Sequence, residues 1–517
     1  MYAIVALMSR LSRTSLMLAI FLAADKVLGI LRQLIIARQF SFSRELDVFN
    51  VANNIPDLLF ALISGGALAM AFIPVLAETL TKNGRGEAWM LFSRIANLAF
   101  VVTAVLAVII GLLADPLVRS QIGVAPGFDE SQKATVVNLL RLNLIATLIF
   151  SISGLVMAGL QANKHFFLPA LAPILYNVGQ IFGATILAPA TGYVVLGFQL
   201  PAFNMGVYGL VYGVITGAIL HLLIQVPGLA RYQFHWKPQL ALRDIQVRKV
   251  LTVMGPRLVT MLFVQLTFIV RDNLASRLAP GSVSALTYGW SIMQVPETII
   301  GTAIGIALLP TLSELVAKED WKELKATIEK AVRVLVAFTI PVAVVLILGL
   351  RPLLVLAFKQ DDAQTDLLLW CSRGFLLGLT GQCLMEIAIR GFYARQDAIP
   401  PLITAGINLA VYTGLGILLY QPLGAPGIGL TDALAFTSQA ILLLFLLNRK
   451  LSSRVTLDSS LLRGVAAGAA AGLVAFAIIT ISGDRLAGLA GSLAGMALGA
   501  AVAAPIVWRE VRVLVRL

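Results

Sequence analysis

The chain is a series of long apolar runs separated by short polar breaks. A helix of about 20 apolar residues is long enough to cross the hydrocarbon core of a bilayer, and each run reaches that length. Several runs exceed 25 residues, which predicts tilted helices or helices bent at internal prolines. The pattern predicts an all-α polytopic membrane protein with about fourteen transmembrane helices, at residues 15–40, 47–80, 88–114, 133–160, 167–188, 206–228, 250–276, 281–315, 327–349, 363–389, 399–420, 425–447, 460–482 and 486–507.

Composition agrees with a membrane protein and excludes several other classes. Of the 517 residues 59% are hydrophobic and only 13% are charged, too few charges to cover a soluble core of this size. Two cysteines exclude a disulfide-rich secreted scaffold, and we expect both to be small buried residues. The net charge of +13 is explained by basic loops facing anionic lipid rather than by nucleic acid.

Loop charges predict the orientation. If the N-terminus lies in the cytoplasm, the cytoplasmic segments carry 21 lysines and arginines and the outer segments carry 7. Cytoplasmic loops of membrane proteins are enriched in these residues. We therefore expect a multi-pass protein of the bacterial cytoplasmic membrane with both termini in the cytoplasm.

A weak internal repeat predicts two similar lobes. The segment Ile73–Glu78 resembles Leu309–Glu314 at an offset of 236 residues, and six predicted spans separate the two segments. Repeats of this kind predict two parallel six-helix lobes with a substrate site between them. We expect an N-lobe at 1–235 (spans 1–6), a C-lobe at 236–450 (spans 7–12) and a C-terminal helix pair at 451–517 (spans 13–14). Glycines at every fourth position in that pair indicate either close helix packing or the wall of a lipid-tail groove.

Ionisable residues inside the first two spans are the first site candidates, because charges at membrane depth usually face a partner or a water-filled cavity. Span 1 carries Lys26 and Arg32, which a bend at Gly29 would turn toward one cavity. Structural pairing with neighbouring helices is the alternative. In span 2, positions 47, 50, 54 and 57 form one helical stripe of polar residues (Asp47, Asn50, Asn54 and Asp57). It is either a water-lined wall or a solvated helix end.

Span 7 adds Arg257 and Arg271, fourteen residues apart and therefore on nearly the same helix face. They either guide an anionic headgroup or extend to the two membrane interfaces. No nucleotide-binding loop or zinc-type His/Glu spacing occurs in the sequence. We therefore expect no enzyme activity and no cofactor.

Several motifs together resemble a known family. They include Val27-Leu28-Gly29-x₂-Arg32, Ala71-Phe72-Ile73-Pro74-Val75, Gly281-Ser282-Val283-Ser284 and Gly391-Phe392-Tyr393-Ala394-Arg395-Gln396-Asp397. In this order they resemble MurJ (MviN) proteins, the lipid II flippases of the multidrug/oligosaccharidyl-lipid/polysaccharide (MOP) exporter superfamily. The resemblance covers spans 1–12, and the extra C-terminal pair also fits it.

The resemblance implies that the chain moves lipid II, the undecaprenyl-pyrophosphate-linked peptidoglycan precursor, from the inner to the outer leaflet by alternating access. It implies that arginines in a central cavity hold the pyrophosphate, and it places Arg32 and Asp47 on functional positions. Lys26 stands where an arginine is usual. Membrane lipids are implied partners, and cell-wall synthesis enzymes are candidate partners.

The sequence departs from that family at several cavity positions. Phe60 replaces an arginine, Asn54 replaces a common lysine, and Ser291 and Gln294 stand at an arginine and a glutamate position of span 8. We therefore expect Lys26, Arg32 and either Arg257 or Arg271 to supply the positive charge. Two other functions stay open: export of another lipid-linked oligosaccharide, and a transport-inactive scaffold in envelope synthesis.

Overall fold

The computed structural model describes residues 10–65, 67–195, 197–450, 460–482 and 485–514, and these residues are almost entirely helical. Contacts divide the chain into two compact units whose boundary falls between Ile269 and Val270. Unit 1 contains helices α1 (Arg10–Phe40), α2 (Arg44–Leu59), α3 (Ala67–Lys82), α4 (Gly84–Arg119), α5 (Glu130–Ala162), α6 (Phe167–Phe182), α7 (Val207–Leu223) and α8 (Val226–Arg231). A small antiparallel hairpin, β1 (Val194–Val195) and β2 (Phe198–Gln199), lies between α6 and α7.

Helix α9 (Ile245–Ala275) crosses the boundary between the units. Unit 2 continues with α10 (Ser282–Glu297), α11 (Ala303–Ala317), α12 (Trp321–Phe358), α13 (Asp362–Leu377), α14 (Leu379–Ala394), α15 (Ile399–Lys450), α16 (Ser460–Ile481), α17 (Arg485–Ile506) and α18 (Trp508–Leu514). The first part of α9 packs on unit 1, where Val247 and Val250 join a cluster with Trp89, Phe92 and Leu160. The expected lobe boundary at 235/236 lies before this helix and stays a prediction.

The all-α polytopic fold is confirmed. Among the described residues, eleven helices are long and apolar enough to cross a membrane, or twelve if α13 and α14, bent by 42°, form one span. The backbone of α15 leaves helical geometry at Gly424 (φ 62°, ψ −149°), so 399–450 consists of two helices, at the place where the sequence predicts a break between spans. The total of fourteen spans stays a prediction.

Each unit contains a proline-bearing helix whose regular geometry is interrupted by a π-helix. In unit 1, α2 contains Pro56 and continues as a π-helix over Phe60–Gly65; in unit 2, α10 contains Pro296 and continues as a π-helix over Thr298–Thr302. Proline removes one backbone donor and displaces the preceding carbonyl, and a wider turn absorbs the mismatch. The matching breaks support the sequence repeat. A third π-helix, Gly183–Leu187 after α6, was not predicted.

The C-terminal glycines of α16 and α17 serve close packing. A Cβ on Gly468 would lie 2.9 Å from Ile340 of α12, and one on Gly499 would lie 2.7 Å from the carbonyl oxygen of Ala471 on α16. Small residues at such contacts let helix backbones approach each other in a bilayer. This favours the packing interpretation of the glycine pattern over the groove-wall interpretation.

Candidate functional site

Arg32 is held at the contact between α1 and α6 by one amide. Its Nη1 donates to Asn177 Oδ1 at 3.0 Å, and Asn177 Nδ2 donates to Asp25 Oδ1 at 2.8 Å. Asn177 is 5% exposed, so one buried side chain positions both a cation and a carboxylate of the same helix. A guanidinium has five N–H donors. Among the described residues Asn177 is the one hydrogen-bond partner of Arg32, so most of these donors remain available to an anion.

Asp57 is the charged residue of α2 on which Arg32 acts electrostatically. Asp57 is the last residue of the predicted polar stripe, and its side chain is exposed. Along that stripe Asp47 is buried at 2% exposure, whereas Asn54 is half-buried. Asn53, which lies off the stripe, accepts a hydrogen bond from Asn143 of α5 at 2.8 Å. The stripe is therefore partly accessible, while the neighbouring face of α2 packs on α5.

Lys26 and Arg32 lie on one uninterrupted helix. Lys26 is exposed, and Arg32 is half-buried toward α6. Among the described contacts none joins the two cations. The structure therefore brings Arg32 together with Asp25 and Asp57, and a joint role of Lys26 stays a prediction.

Phe60 belongs to a wall of three aromatic side chains. Phe60 packs edge-on against Phe150 with ring centroids 5.0 Å apart, and Phe150 packs against Tyr176 at 5.1 Å. Tyr176 adjoins Asn177 in sequence, and its hydroxyl lies within reach of the Arg32 charge. Phe60 is 37% exposed, so this wall offers apolar surface beside the Arg32 guanidinium rather than a second positive charge.

Arg271 lies in unit 2 and its charge is compensated internally. Its Nε donates to Asp272 Oδ1 at 2.6 Å, and its Nη2 donates to Thr287 Oγ1 at 3.3 Å. Arg271 is 7% exposed and Asp272 is fully buried. A buried ion pair of this kind is costly to separate. The geometry favours a structural role for Arg271, and substrate binding by this residue stays a prediction that the pairing weakens.

Two further candidates, Ser291 and Gln294, lie in unit 2. Ser291 is half-buried and donates to the carbonyl oxygen of Thr287 at 3.0 Å, so it lies one turn from the Arg271 contact. Gln294 is exposed.

In unit 1, Arg257 is half-buried and has no hydrogen-bond or ion-pair partner in the described part of the chain. It is therefore a second available guanidinium on the membrane-spanning helices of unit 1.

Other arginines of the spans contact neighbouring segments of the chain. Arg94 pairs with Asp244 at 2.8 Å, Arg141 donates to the carbonyl oxygen of Gly111, and Arg373 donates to that of Ile347. Glu386 pairs with Arg390 at 2.6 Å. The two cysteines are buried and unpaired. The contacts of these arginines and of Glu386 are therefore satisfied within the chain.

Sequence reasoning missed two polar side chains of the spans. Asn177 was overlooked because a single amide in an apolar run is an ambiguous signal. Asp432, 4% exposed, accepts from Gln382 at 3.2 Å and interacts electrostatically with Arg271. It was the one carboxylate in the apolar run 425–447, and that isolation could have identified it.

Comparison of the sequence with a family model and with related proteins indicates one family. A family model described as lipid II flippase MurJ matches residues 36–493. The lipid II flippase MurJ of Burkholderia cenocepacia is 31% identical over 448 residues, which cover 85% of this chain and 84% of that protein. A probable lipid II flippase MurJ of Haemophilus influenzae is 26% identical over 437 residues, covering 81% of this chain and 82% of the relative.

Solved structures share the fold. A lipid II flippase MurJ in an inward closed conformation matches with a TM-score of 0.77 at 19% identity, covering 96% of this chain and 100% of the other. An inward-facing multidrug resistance MATE family transporter of the MOP superfamily matches with a TM-score of 0.68 at 14% identity, covering 83% and 94%. Since the family model extends over nearly the whole chain, the chain belongs to the lipid II flippase MurJ family.

Proposed function

We propose that this chain translocates lipid II from the inner to the outer leaflet of the bacterial cytoplasmic membrane, with both termini in the cytoplasm. Family membership supports the substrate, and the half-buried Arg32 guanidinium, which has one hydrogen-bond partner among the described residues, supports the binding mode. Export of another lipid-linked oligosaccharide and a scaffold role are not favoured by the relatives. Contact with cell-wall synthesis enzymes is a further part of the proposal.

The observation that carries the binding mode is the single hydrogen bond of Arg32. Asn177 fixes the orientation of the guanidinium, while the remaining N–H groups are left for a pyrophosphate. Hydrogen bonds between a guanidinium and phosphate oxygens are strong and directional. A doubly charged anion at membrane depth needs more than one counter-charge. Lys26, exposed six residues before Arg32, and the unpaired Arg257 are the candidates to supply it.

Complementation tests this proposal. The wild-type chain should restore growth to a strain depleted of its lipid II flippase, and Arg32→Gln should not. Losing hydrogen bonds to a charged group costs about 1.5–3 kcal/mol, or roughly a 10- to 150-fold loss of lipid II affinity. Binding of lipid II to the purified full chain in detergent would measure that loss.

The matched control is Arg141→Gln. Arg141 is also an arginine of a membrane-spanning helix, but its Nε donates to a backbone carbonyl of the neighbouring helix. We expect this variant to complement and to bind lipid II normally. Full complementation by Arg32→Gln would refute the role of Arg32, and failure of the wild-type chain would favour a different lipid-linked glycan or a scaffold.

A further inference from the structure

A polar cleft opens at the end of unit 1 where α1 finishes and α2 begins. Its volume is about 810 Å³. One wall is the junction of α1 and α2, and the opposite wall is the segment between α6 and α7. The side chains that matter for ligand chemistry are Gln39, Phe40, Ser43, Thr191, Tyr193 and Asn204. None of these residues belongs to the Arg32 contacts described above.

Backbone hydrogen bonds hold the second wall in place. The amides of Phe203, Asn204, Met205 and Gly206 donate to the carbonyl oxygens of residues 186–189 over 2.9–3.1 Å. Gly192 packs so closely that a Cβ would lie 1.8 Å from the Leu200 carbonyl oxygen. A loop anchored in this way forms its cleft before any ligand arrives, which lowers the entropic cost of binding.

The lining suits a neutral polar ligand. Amide and hydroxyl groups of Gln39, Thr191 and Asn204 can donate and accept hydrogen bonds. The Tyr193 hydroxyl donates to Gln39 Oε1 at 3.3 Å, and burial raises the pKa of this phenol, so it stays an uncharged donor. The two charged lining residues, Arg44 and Glu45, have opposite signs, and Arg44 also pairs with Asp129 at 3.3 Å.

Helix geometry relates this cleft to Arg32. Gln39 follows Arg32 by seven residues, which places it on nearly the same face of α1 and about 10 Å farther along the axis. Arg32 contacts Asn177 of α6, and Gln39 contacts Tyr193 of the segment that follows α6. A ligand whose phosphate lies at Arg32 could therefore extend a neutral portion along α1 into the cleft.

We propose that this cleft is a saccharide subsite that binds the neutral disaccharide of the headgroup at the outer end of unit 1. The inference rests on the proposed function for the identity of the sugar. It assigns the phosphate and the sugar to separate places along α1. Phe40 and Tyr193 supply the aromatic surface against which the apolar face of a sugar ring packs.

The test is an NMR titration of the purified full chain in detergent with three soluble probes. These are the disaccharide–pentapeptide lacking pyrophosphate and lipid, the disaccharide alone, and the pentapeptide alone. We expect the first two to bind with dissociation constants on the order of 1 mM, typical of a small contact. Thr191→Trp, which fills the cleft, and Gln39→Ala should each weaken disaccharide binding at least ~10-fold, equal to about 1.4 kcal/mol.

Two controls separate this inference from the proposed function. Ile122→Trp places the same side chain on a residue that is 91% exposed and outside the lining, and it should leave disaccharide binding unchanged. Arg32→Gln should weaken lipid II binding but not disaccharide binding. If the disaccharide fails to bind, if only the pentapeptide binds, or if neither cleft variant has an effect, the subsite is wrong. If instead Arg32→Gln leaves lipid II binding unchanged, the role proposed for Arg32 fails independently.

Discussion

At the scale of single residues, Asn177 organises the charged groups of unit 1. It accepts from Arg32 and donates to Asp25, and both contacts are to ionisable side chains. We expect Asn177→Leu to lower the free energy of unfolding by about 1.5–3 kcal/mol, because both charged partners lose a bond in a region of low dielectric. Thermal unfolding in detergent measures the loss, and lipid II binding should fall with it because Arg32 is no longer oriented.

Gln180→Leu is the control for this residue. Gln180 lies one turn farther along α6, is 7% exposed, and its Nε2 has no hydrogen-bond partner in the described structure. Replacing an unsatisfied buried amide by an apolar side chain should be neutral or stabilising. Equal losses in both variants would mean that Asn177 acts only by filling space.

The sequence identifies Arg32 but not its support. A charge at membrane depth is rare enough to be noticed in a single sequence, and for that reason Arg32 and Asp57 were candidates. An asparagine is ambiguous, because its amide can equally bond the backbone of its own helix. The Asn177 amide bonds side chains of α1 and also donates to the Pro173 carbonyl oxygen of its own helix at 3.3 Å. Only coordinates distinguish these uses, as they do for the internal pairing of Arg271 with Asp272.

At the scale of elements, glycine variants of the C-terminal helix pair can test whether its glycines serve close helix packing. A methyl group added by Gly499→Ala would collide with the backbone carbonyl of Ala471 on α16, which cannot rotate away. We expect a loss of about 1–3 kcal/mol in unfolding free energy, the usual cost of overpacking. Gly488→Ala in the same helix, with nothing within 4 Å of its added Cβ, should cost nothing. Thermal unfolding of the two variants compares them directly.

Apolar periodicity predicted most helix positions, and internal prolines predicted bends in them, but neither predicted the π-helical geometry of the breaks. The predicted runs 133–160 and 167–188 correspond to Glu130–Ala162 and Phe167–Leu187, because burial in lipid demands continuous apolar helices. The π-helices after Pro56 and Pro296 depend on how each freed backbone group finds a new partner, which local sequence does not determine. The β1–β2 hairpin was also missed, since each strand has only two residues.

At the scale of the whole molecule, matching broken helices in the two units give physical meaning to the weak repeat. The π-helices Phe60–Gly65 and Thr298–Thr302 overlap when the two units are aligned at the offset of the repeat, yet the contacts of the arginines in the two units differ. In unit 1, Arg32 hydrogen-bonds the neutral amide of Asn177. In unit 2, Arg271 forms an ion pair with the carboxylate of Asp272. The repeat was visible in sequence because it preserves backbone shape. The unequal charges could not be derived from it, because charge pairing depends on side chains from several helices.

The orientation of the chain in the membrane is predicted from the basic residues of its loops alone. Cysteine labelling can test this orientation. Both native cysteines are buried and should react slowly with a membrane-impermeant maleimide. Gln199→Cys lies on the exposed hairpin between α6 and α7, and Gln239→Cys lies on the exposed segment between α8 and α9. The threefold excess of basic residues on one set of loops predicts that intact spheroplasts label position 199 and leave position 239 unlabelled until the membrane is opened. The opposite pattern would invert the chain and place the proposed sugar cleft in the cytoplasm, where it would meet the headgroup before translocation instead of after it.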